Sequence, residues 1–193
     1  MTDNKTCKEH ISSVMYSYLK ELEYRIQHEG EPLGLSTGIK DLDETLGGMR
    51  GGEVILLGAR PGMGKTSFAI DLSYKIAKSF TEEKERNPNN NKCVLYFSIK
   101  YSKLHWLQRF ISAKSNLCHC YFPEEEVYWW ELRDFSYGTK SYEDFEKIAN
   151  VGRDIEQLPI YICDDYPLTL NDIKDKIEEI SCYSSIGFIV IDY

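Results

Sequence analysis

The sequence lacks a long apolar run. No stretch approaches the roughly 18–20 consecutive apolar residues that a membrane-spanning helix needs. The first ten residues are polar and contain no apolar core of a secretory signal. We therefore expect a soluble, cytoplasmic protein. Its length of 193 residues is suited to one domain.

The sequence also lacks an excess of basic residues. Its formal net charge is −8. Because the neutralisation of phosphates requires Lys and Arg, this balance argues against a general nucleic-acid surface. The acidic balance does not exclude binding to nucleic acid through a partner that supplies the basic contacts.

Cysteine is present without the features of a disulfide or metal framework. With no secretory signal, the six cysteines are expected to be reduced thiols, several of them on buried strands. Cys118, His119 and Cys120 are adjacent in sequence, but they lack the spacing of zinc ligand pairs and no second pair follows. We expect no metal site there.

Residues 8–28 carry apolar side chains at helical spacing. The stripe comprises Ile11, Val14, Met15, Tyr18, Leu19, Leu22 and Ile26. This pattern predicts one amphipathic helix, which Gly30 and Pro32 end. Its apolar stripe packs either on its own domain or on a neighbouring subunit. The predicted organisation is this amphipathic helix over residues 1–32 and one domain over residues 33–193.

After a turn-rich segment at 33–52, predicted strands alternate with predicted helices. Strands are expected at 53–58, 93–99, 160–163 and 187–192, and helices at 66–80, 104–113, 141–156 and 170–180, with a polar loop at 81–92. This alternation is typical of an α/β fold with a mostly parallel sheet and helices on both faces. Residues 118–140 are rich in aromatic side chains, which could stack on bases or pack between elements.

A phosphate-binding loop follows the first predicted strand. Residues 59–66 fit the Walker A pattern with Ala59 in place of the first glycine. Gly62 and Gly64 allow the tight turn that points amide groups at phosphate oxygens. Lys65 can reach the β- and γ-phosphates, and Thr66 offers a hydroxyl to Mg²⁺. The expected nucleotide-binding residues are Ala59, Arg60, Pro61, Gly62, Met63, Gly64, Lys65, Thr66 and Ser67.

The second half of such a site is an aspartate at the end of an apolar strand. Asp192 ends the apolar run 186–191. In this α/β context it is a candidate for the Walker B residue, which holds Mg²⁺ together with Thr66. Lys65 and Asp192 are therefore the candidate catalytic residues, with ATP and Mg²⁺ as the expected ligands.

These motifs resemble the C-terminal motor domain of the DnaB family of replicative DNA helicases. The resemblance runs from about residue 8 to residue 193 and rests mainly on the loop 58–66, where Arg60 and Pro61 precede the glycines. Matching segments are Thr37-Gly38, 41–43, 94–98, 159–162, Asp164-Asp165 and 189–193. It implies a P-loop, RecA-like fold, ATP-dependent DNA unwinding in replication, single-stranded DNA as a partner, and a hexamer in which the linker helix docks on the adjacent subunit. The related RadA and KaiC families share the pattern Leu-Asp-x-x-Leu-Gly-Gly of residues 42–48, but they usually lack the Arg-Pro pair.

The sequence departs from the family at the position that activates water. The family places a glutamate after the second strand, where Lys100 stands here. A charged lysine cannot accept the proton of the attacking water.

The sequence reaches only one residue beyond Asp192. The resemblance implies that the DNA-contacting loops, a γ-phosphate sensor, an arginine finger and a strand between the two Walker strands lie outside it. We therefore expect a C-terminally incomplete motor domain that is poorly stable alone. The alternative to a motor enzyme is a non-catalytic nucleotide-binding relic or regulator that associates with an intact helicase.

Overall fold

The computed structural model describes residues 10–28, 33–115 and 142–193. The chain divides into two compact units, Met1–Val54 and Ile55–Tyr193, which are considered separately below. The Cys118–Cys120 cluster and the whole aromatic segment 118–140 lie outside the described residues. The predicted boundary after residue 32 stays a prediction.

The first unit contains the predicted N-terminal helix, α1, over Ile11–Gln27. The His10 imidazole accepts a hydrogen bond from the Ser12 amide at the N-terminus of the helix, and Arg25 pairs with Glu21 one turn earlier at 3.0 Å. None of the residues in α1 is buried. Most of the predicted apolar stripe is exposed, namely Ile11, Val14, Met15, Tyr18, Leu19 and Ile26.

A short helix, α2, spans Lys40–Leu46, where only turns were predicted. It ends at Gly47, whose φ of 69° favours glycine. Asp43 accepts hydrogen bonds from the Ser36 hydroxyl (2.6 Å) and the Thr37 amide (2.7 Å). Partial burial tends to raise the pKa of Asp43, but these hydrogen bonds outweigh it and hold the pKa below its ordinary value. The carboxylate therefore ties the preceding turn to the helix.

The second unit contains the predicted alternation of strands and helices. Its elements are α3 (Lys65–Arg86), β1 (Lys92–Ser98), α4 (Lys103–Ser115), α5 (Tyr142–Glu156), β2 (Ile160–Cys163), α6 (Leu170–Ser181) and β3 (Ser185–Asp192). The strands form a parallel sheet in the order β2-β1-β3. The predicted α/β class, with a parallel sheet and helices on both faces, is confirmed. In the described part of the chain, no helix is both long enough and apolar enough to cross a membrane.

The central strand β1 separates two apolar clusters. On one face, Tyr96 packs with side chains of α3 and α4, including Ile70, Trp106 and Phe110, and residues of α5 cover the same cluster. On the other face, Leu95 and its neighbours pack against α6. Because successive strand residues point to opposite faces, β1 is buried on both, as its apolar sequence predicts.

The predicted strand at residues 53–58 is wrong. These residues belong to no helix or strand, and Leu56 is 85% exposed. An apolar run becomes a strand only when a neighbour pairs with its backbone groups. Within the described residues, no strand pairs with this segment.

The polar loop predicted at 81–92 is also partly wrong, because α3 continues to Arg86. Residues 82–86 are mostly good helix formers, which favours this extension. Glu83 then accepts hydrogen bonds from Lys92 (3.0 Å) and Asn90 (2.7 Å). These contacts connect the end of α3 to the start of β1.

Gly187 creates space for α3 against β3. The pairing of β1 with β3 shifts register between Cys93 and Val94, which face Ile186 and Phe188, so Gly187 forms a bulge. A Cβ atom at Gly187 would lie 2.5 Å from Phe80 Cζ. The Phe80 ring of α3 therefore packs on bare backbone at this point.

Candidate nucleotide-binding site

The loop that precedes α3 has the backbone expected of a phosphate cradle. Gly62 and Gly64 adopt φ values of 79° and 83°, a region that other residues rarely enter. Among the described residues, no side chain caps α3, so the amides of its first turn remain available to an anion. Those amides belong to Lys65, Thr66 and Ser67, and the exposed loop Ala59, Arg60, Pro61, Gly62, Met63 and Gly64 leads into them.

The Lys65 ammonium lies over this loop. It donates hydrogen bonds to the carbonyl oxygens of Ala59 (2.9 Å) and Arg60 (3.2 Å). The lysine is therefore directed back across the loop rather than out into solvent. This placement holds its charge beside the backbone of Ala59 and Arg60.

Thr66 and Asp192 meet although 126 residues separate them in sequence. The Thr66 hydroxyl donates to Asp192 Oδ1 at 3.2 Å. This contact arises because α3 packs on the sheet and Asp192 ends β3, at the carboxyl edge of the parallel strands. The two residues predicted to hold Mg²⁺ are thus brought together.

A third residue, Tyr96 of β1, reaches the same carboxylate. Its phenol donates to Asp192 Oδ2 at 3.0 Å, and its side chain is fully buried. Burial, followed by the charge of Asp192 and this hydrogen bond, raises the pKa of Tyr96, while Trp106 and Arg109 act in the opposite direction. The phenol therefore stays protonated and donates. Sequence reasoning missed Tyr96, whose one signal is a hydroxyl within the apolar run 93–97 of β1.

Lys100 lies close to Asp192 along the backbone. Ser98 is paired with Asp192 in the sheet, and the amide of Ile99 donates to the Asp192 carbonyl at 2.9 Å. Lys100 follows directly, with its ammonium 5.3 Å from the centroid of the Tyr101 ring. Arg109 stacks over the same ring at 4.3 Å. Two cationic side chains, Lys100 and Arg109, therefore contact the Tyr101 ring in the first turn after β1.

Asp164, the residue after β2, contacts Lys103 at the start of α4. It accepts a hydrogen bond from the Lys103 amide at 2.9 Å and pairs with the Lys103 ammonium at 3.3 Å. The hydrogen bond from the Lys103 amide is the main cause that holds the pKa of Asp164 below its ordinary value. These contacts engage Asp164 at the N-terminus of α4.

A family model of the DnaB-like helicase C-terminal domain matches residues 34–193. Relatives include the replicative DNA helicase DnaB of Treponema pallidum, 26% identical over 95% of this chain and 36% of that protein. The DnaB of Geobacillus stearothermophilus is 25% identical over 95% of this chain and 35% of its own length. The DnaB of Mycoplasma genitalium is 29% identical over 86% of this chain and 31% of its own length. The chain thus spans about a third of the length of these relatives.

Solved structures share the fold. One, described as an ATPase domain, superimposes with a TM-score of 0.74 at 20% identity and covers 96% of this chain and 57% of that chain. Another is a DnaB-like replicative helicase from a study of its interactions with primase, with a TM-score of 0.69 at 18% identity over 95% of this chain and 38% of that chain. The family match over residues 34–193 and the shared architecture lead to one conclusion: this chain belongs to the family of DnaB-like helicase C-terminal domains.

Proposed function

We propose that this chain binds ATP together with Mg²⁺ at the loop 59–67 and Asp192. The observation that carries the proposal is the contact of Thr66 Oγ1 with Asp192 Oδ1 at 3.2 Å. A hydroxyl and a carboxylate that converge at the start of a helix form the oxygen donor set that Mg²⁺ prefers. The family membership and the shape of the loop support the same assignment.

Each residue of the site has a defined task in this proposal. The amides after Gly62 and Gly64 cradle phosphate oxygens, and the Lys65 ammonium leaves the loop carbonyls to pair with the β- and γ-phosphates. Thr66 and Asp192 hold the metal ion, which when bound offsets charge on those phosphates. Binding therefore exchanges contacts of Lys65 within the loop for contacts with the ligand.

Hydrolysis by this chain alone is expected to be slow. The position at which the family carries its water-activating glutamate holds Lys100, next to Arg109 on the Tyr101 ring. A protonated lysine donates hydrogen bonds but accepts no proton. We therefore propose a nucleotide-binding module, with ATP retained longer than in a relative that has the glutamate.

Thermal unfolding with and without Mg·ATP tests this proposal. A ligand at a hundred times its dissociation constant stabilises the folded state by about 2.7 kcal/mol. We expect a clear shift for the natural chain and for the control Lys78→Ala, which removes an exposed lysine from the same helix. Lys65→Ala should lose most of the shift. If saturating Mg·ATP leaves the unfolding temperature of the natural chain unchanged, the proposal is wrong.

A motor role within a ring is the second candidate. It is favoured by α1, whose apolar stripe is exposed in the first unit. In this proposal the helix docks on a neighbouring helicase subunit, a ring acts on single-stranded DNA, and residues from that neighbour assist ATP turnover. The test mixes this chain with an intact helicase of the same family. DNA-stimulated turnover that depends on Lys65 supports the motor role, whereas unchanged turnover argues for binding alone.

A further inference from the structure

The carboxylate of Asp192 is held at both oxygens by hydroxyl groups from two different elements. Thr66 of α3 donates to Oδ1 at 3.2 Å, and Tyr96 of β1 donates to Oδ2 at 3.0 Å. The proposed metal role uses Thr66 and Asp192 and leaves the contact with Tyr96 unexplained. Replacement of the Tyr96 hydroxyl by hydrogen would change neither the apolar packing of the ring nor the strand.

Sheet register explains why Tyr96 can reach Asp192. Tyr96 pairs with Val190, and Ser98 pairs with Asp192. Because side chains two residues apart share a face of a sheet, Tyr96 lies diagonal to Asp192 on the same face. A diagonal neighbour is within reach of a long aromatic side chain but beyond the reach of a short one. A phenylalanine here would keep the ring and lose the contact.

The ring of Tyr96 is fixed by its surroundings. The side chain is fully buried, belongs to the cluster of Ile70, Trp106 and Phe110, and meets the Trp106 ring edge-on at 5.5 Å. A buried ring of this kind presents its hydroxyl at one defined point. The hydroxyl therefore acts as a rigid donor on the inner side of the carboxylate.

Asp192 needs such a donor because it ends a strand that is paired on one side only in the described part of the chain. The terminal torsion of an aspartate side chain is broad. A hydrogen bond at Oδ2 restricts that torsion and keeps Oδ1 on the side of Thr66. Groups that orient a metal-binding side chain are typically worth 10–100-fold in metal affinity.

We propose that Tyr96 is a positioning residue that orients the Asp192 carboxylate toward Thr66 and so sets the affinity of the nucleotide site for Mg²⁺. This inference rests on the proposed function, since it assigns a role within the same site. Tyr96 itself contacts neither nucleotide nor metal. It acts through the carboxylate that it holds.

The experiment titrates the full chain with a fluorescent ATP analogue, once with EDTA and once over a range of Mg²⁺ concentrations. Tyr96→Phe is expected to raise the Mg²⁺ concentration needed for half-maximal binding by about tenfold and to leave the affinity in EDTA unchanged. The matched control is Tyr161→Phe. It removes the same atom from β2, where the hydroxyl lies 3.4 Å from Ser184 Oγ, and it should match the natural chain.

A second background separates positioning from packing. In the Asp192→Asn chain, the added Tyr96→Phe change should have little further effect on the Mg²⁺ dependence, because the group through which Tyr96 acts is already altered. An equal additional loss in that background would show that Tyr96 acts elsewhere and would overturn the inference. The inference also fails if Tyr96→Phe weakens binding equally in EDTA, behaves as the natural chain does, or no longer folds.

The outcomes distinguish this inference from the proposed function. If the natural chain binds no ATP analogue with Mg²⁺, the proposed function is wrong and the inference fails with it. If the natural chain binds in a Mg²⁺-dependent way and Tyr96→Phe does the same, only the role of Tyr96 is wrong.

Discussion

Gly187→Ala tests whether the packing of α3 on the sheet depends on a missing side chain. The added methyl group would lie 2.5 Å from Phe80 Cζ and 2.8 Å from Cε2. Contacts between carbon atoms are favourable at about 3.5–4.0 Å. The Phe80 ring, which is 2% exposed, or the strand beneath it must therefore shift by about 1 Å.

Two effects of opposite sign determine the magnitude. Overpacking of a buried site costs typically about 1–3 kcal/mol. Against this, alanine restricts the unfolded chain more than glycine does, which stabilises the folded state by about 0.4–1 kcal/mol. We therefore expect Gly187→Ala to lower the free energy of unfolding by about 1–2 kcal/mol.

The assay is urea denaturation of four chains that form a double-mutant cycle: the natural chain, Gly187→Ala, Phe80→Leu and the double variant. Leucine lacks the outer ring atoms that the new methyl group would meet. In the Phe80→Leu background, Gly187→Ala should therefore be neutral or stabilising. An equal cost of Gly187→Ala in both backgrounds would refute the steric explanation and indicate that the bulge itself requires glycine.

Three further predictions concern other parts of the chain. Lys100→Glu should raise ATP turnover at least about tenfold, since general-base catalysis contributes typically 10²–10⁴-fold. Steady-state phosphate release measures this turnover. Turnover equal to that of the natural chain would contradict the role assigned to this position. Asp43→Asn should lower the free energy of unfolding by about 1 kcal/mol at pH 7. Because the pKa of Asp43 is lowered on folding, the advantage of the natural chain is present above the unfolded pKa of about 3.9 and is lost as the pH falls through the folded pKa. A difference that does not decrease as the pH is lowered below about 3.9 would argue against this assignment. Because β3 is paired on one side only in the described residues, its open apolar edge is expected to pair between copies of the chain. Ile189→Lys, at a 39% exposed position of β3, should reduce the resulting concentration-dependent self-association measured by light scattering, whereas the control Tyr166→Lys, at an exposed position outside the strands, should not.

The helices and strands that could be predicted are those with a clear local pattern or with an apolar run that is buried on both faces of the sheet. The strand at Ile160–Cys163 was placed at its observed bounds, and β1 was placed within one residue at each end. The strand predicted at 53–58 failed because an apolar pattern reports the preference of a segment and says nothing of whether a neighbour pairs with it. The helix at Lys40–Leu46 was missed because glycines on both sides suggested turns throughout.

The candidate site likewise contains residues that local sequence indicates and contacts that only the sheet register determines. The loop around Lys65 was predictable because spacing between neighbours in sequence defines it, and Asp192 because it ends an apolar strand. The contact of Tyr96 with Asp192 depends on the register of two strands, which is a property of the sheet rather than of either segment. The same register places Lys100 one residue after the amide that bonds the Asp192 carbonyl.

The position of β1 between two parallel neighbours has a consequence for the timing of motions in the site. The strand is hydrogen-bonded to a neighbour on each side, and its side chains from Cys93 to Ser98 are buried. Its amides should therefore exchange hydrogen with solvent only in rare openings of the unit. The residues of the loop 59–64 are exposed and should exchange far sooner. A nucleotide bound at the proposed site would thus lie between a strand whose amides exchange slowly and a loop whose amides exchange fast. Protection gained on binding should appear in the loop and leave the strand that carries Tyr96 as it was.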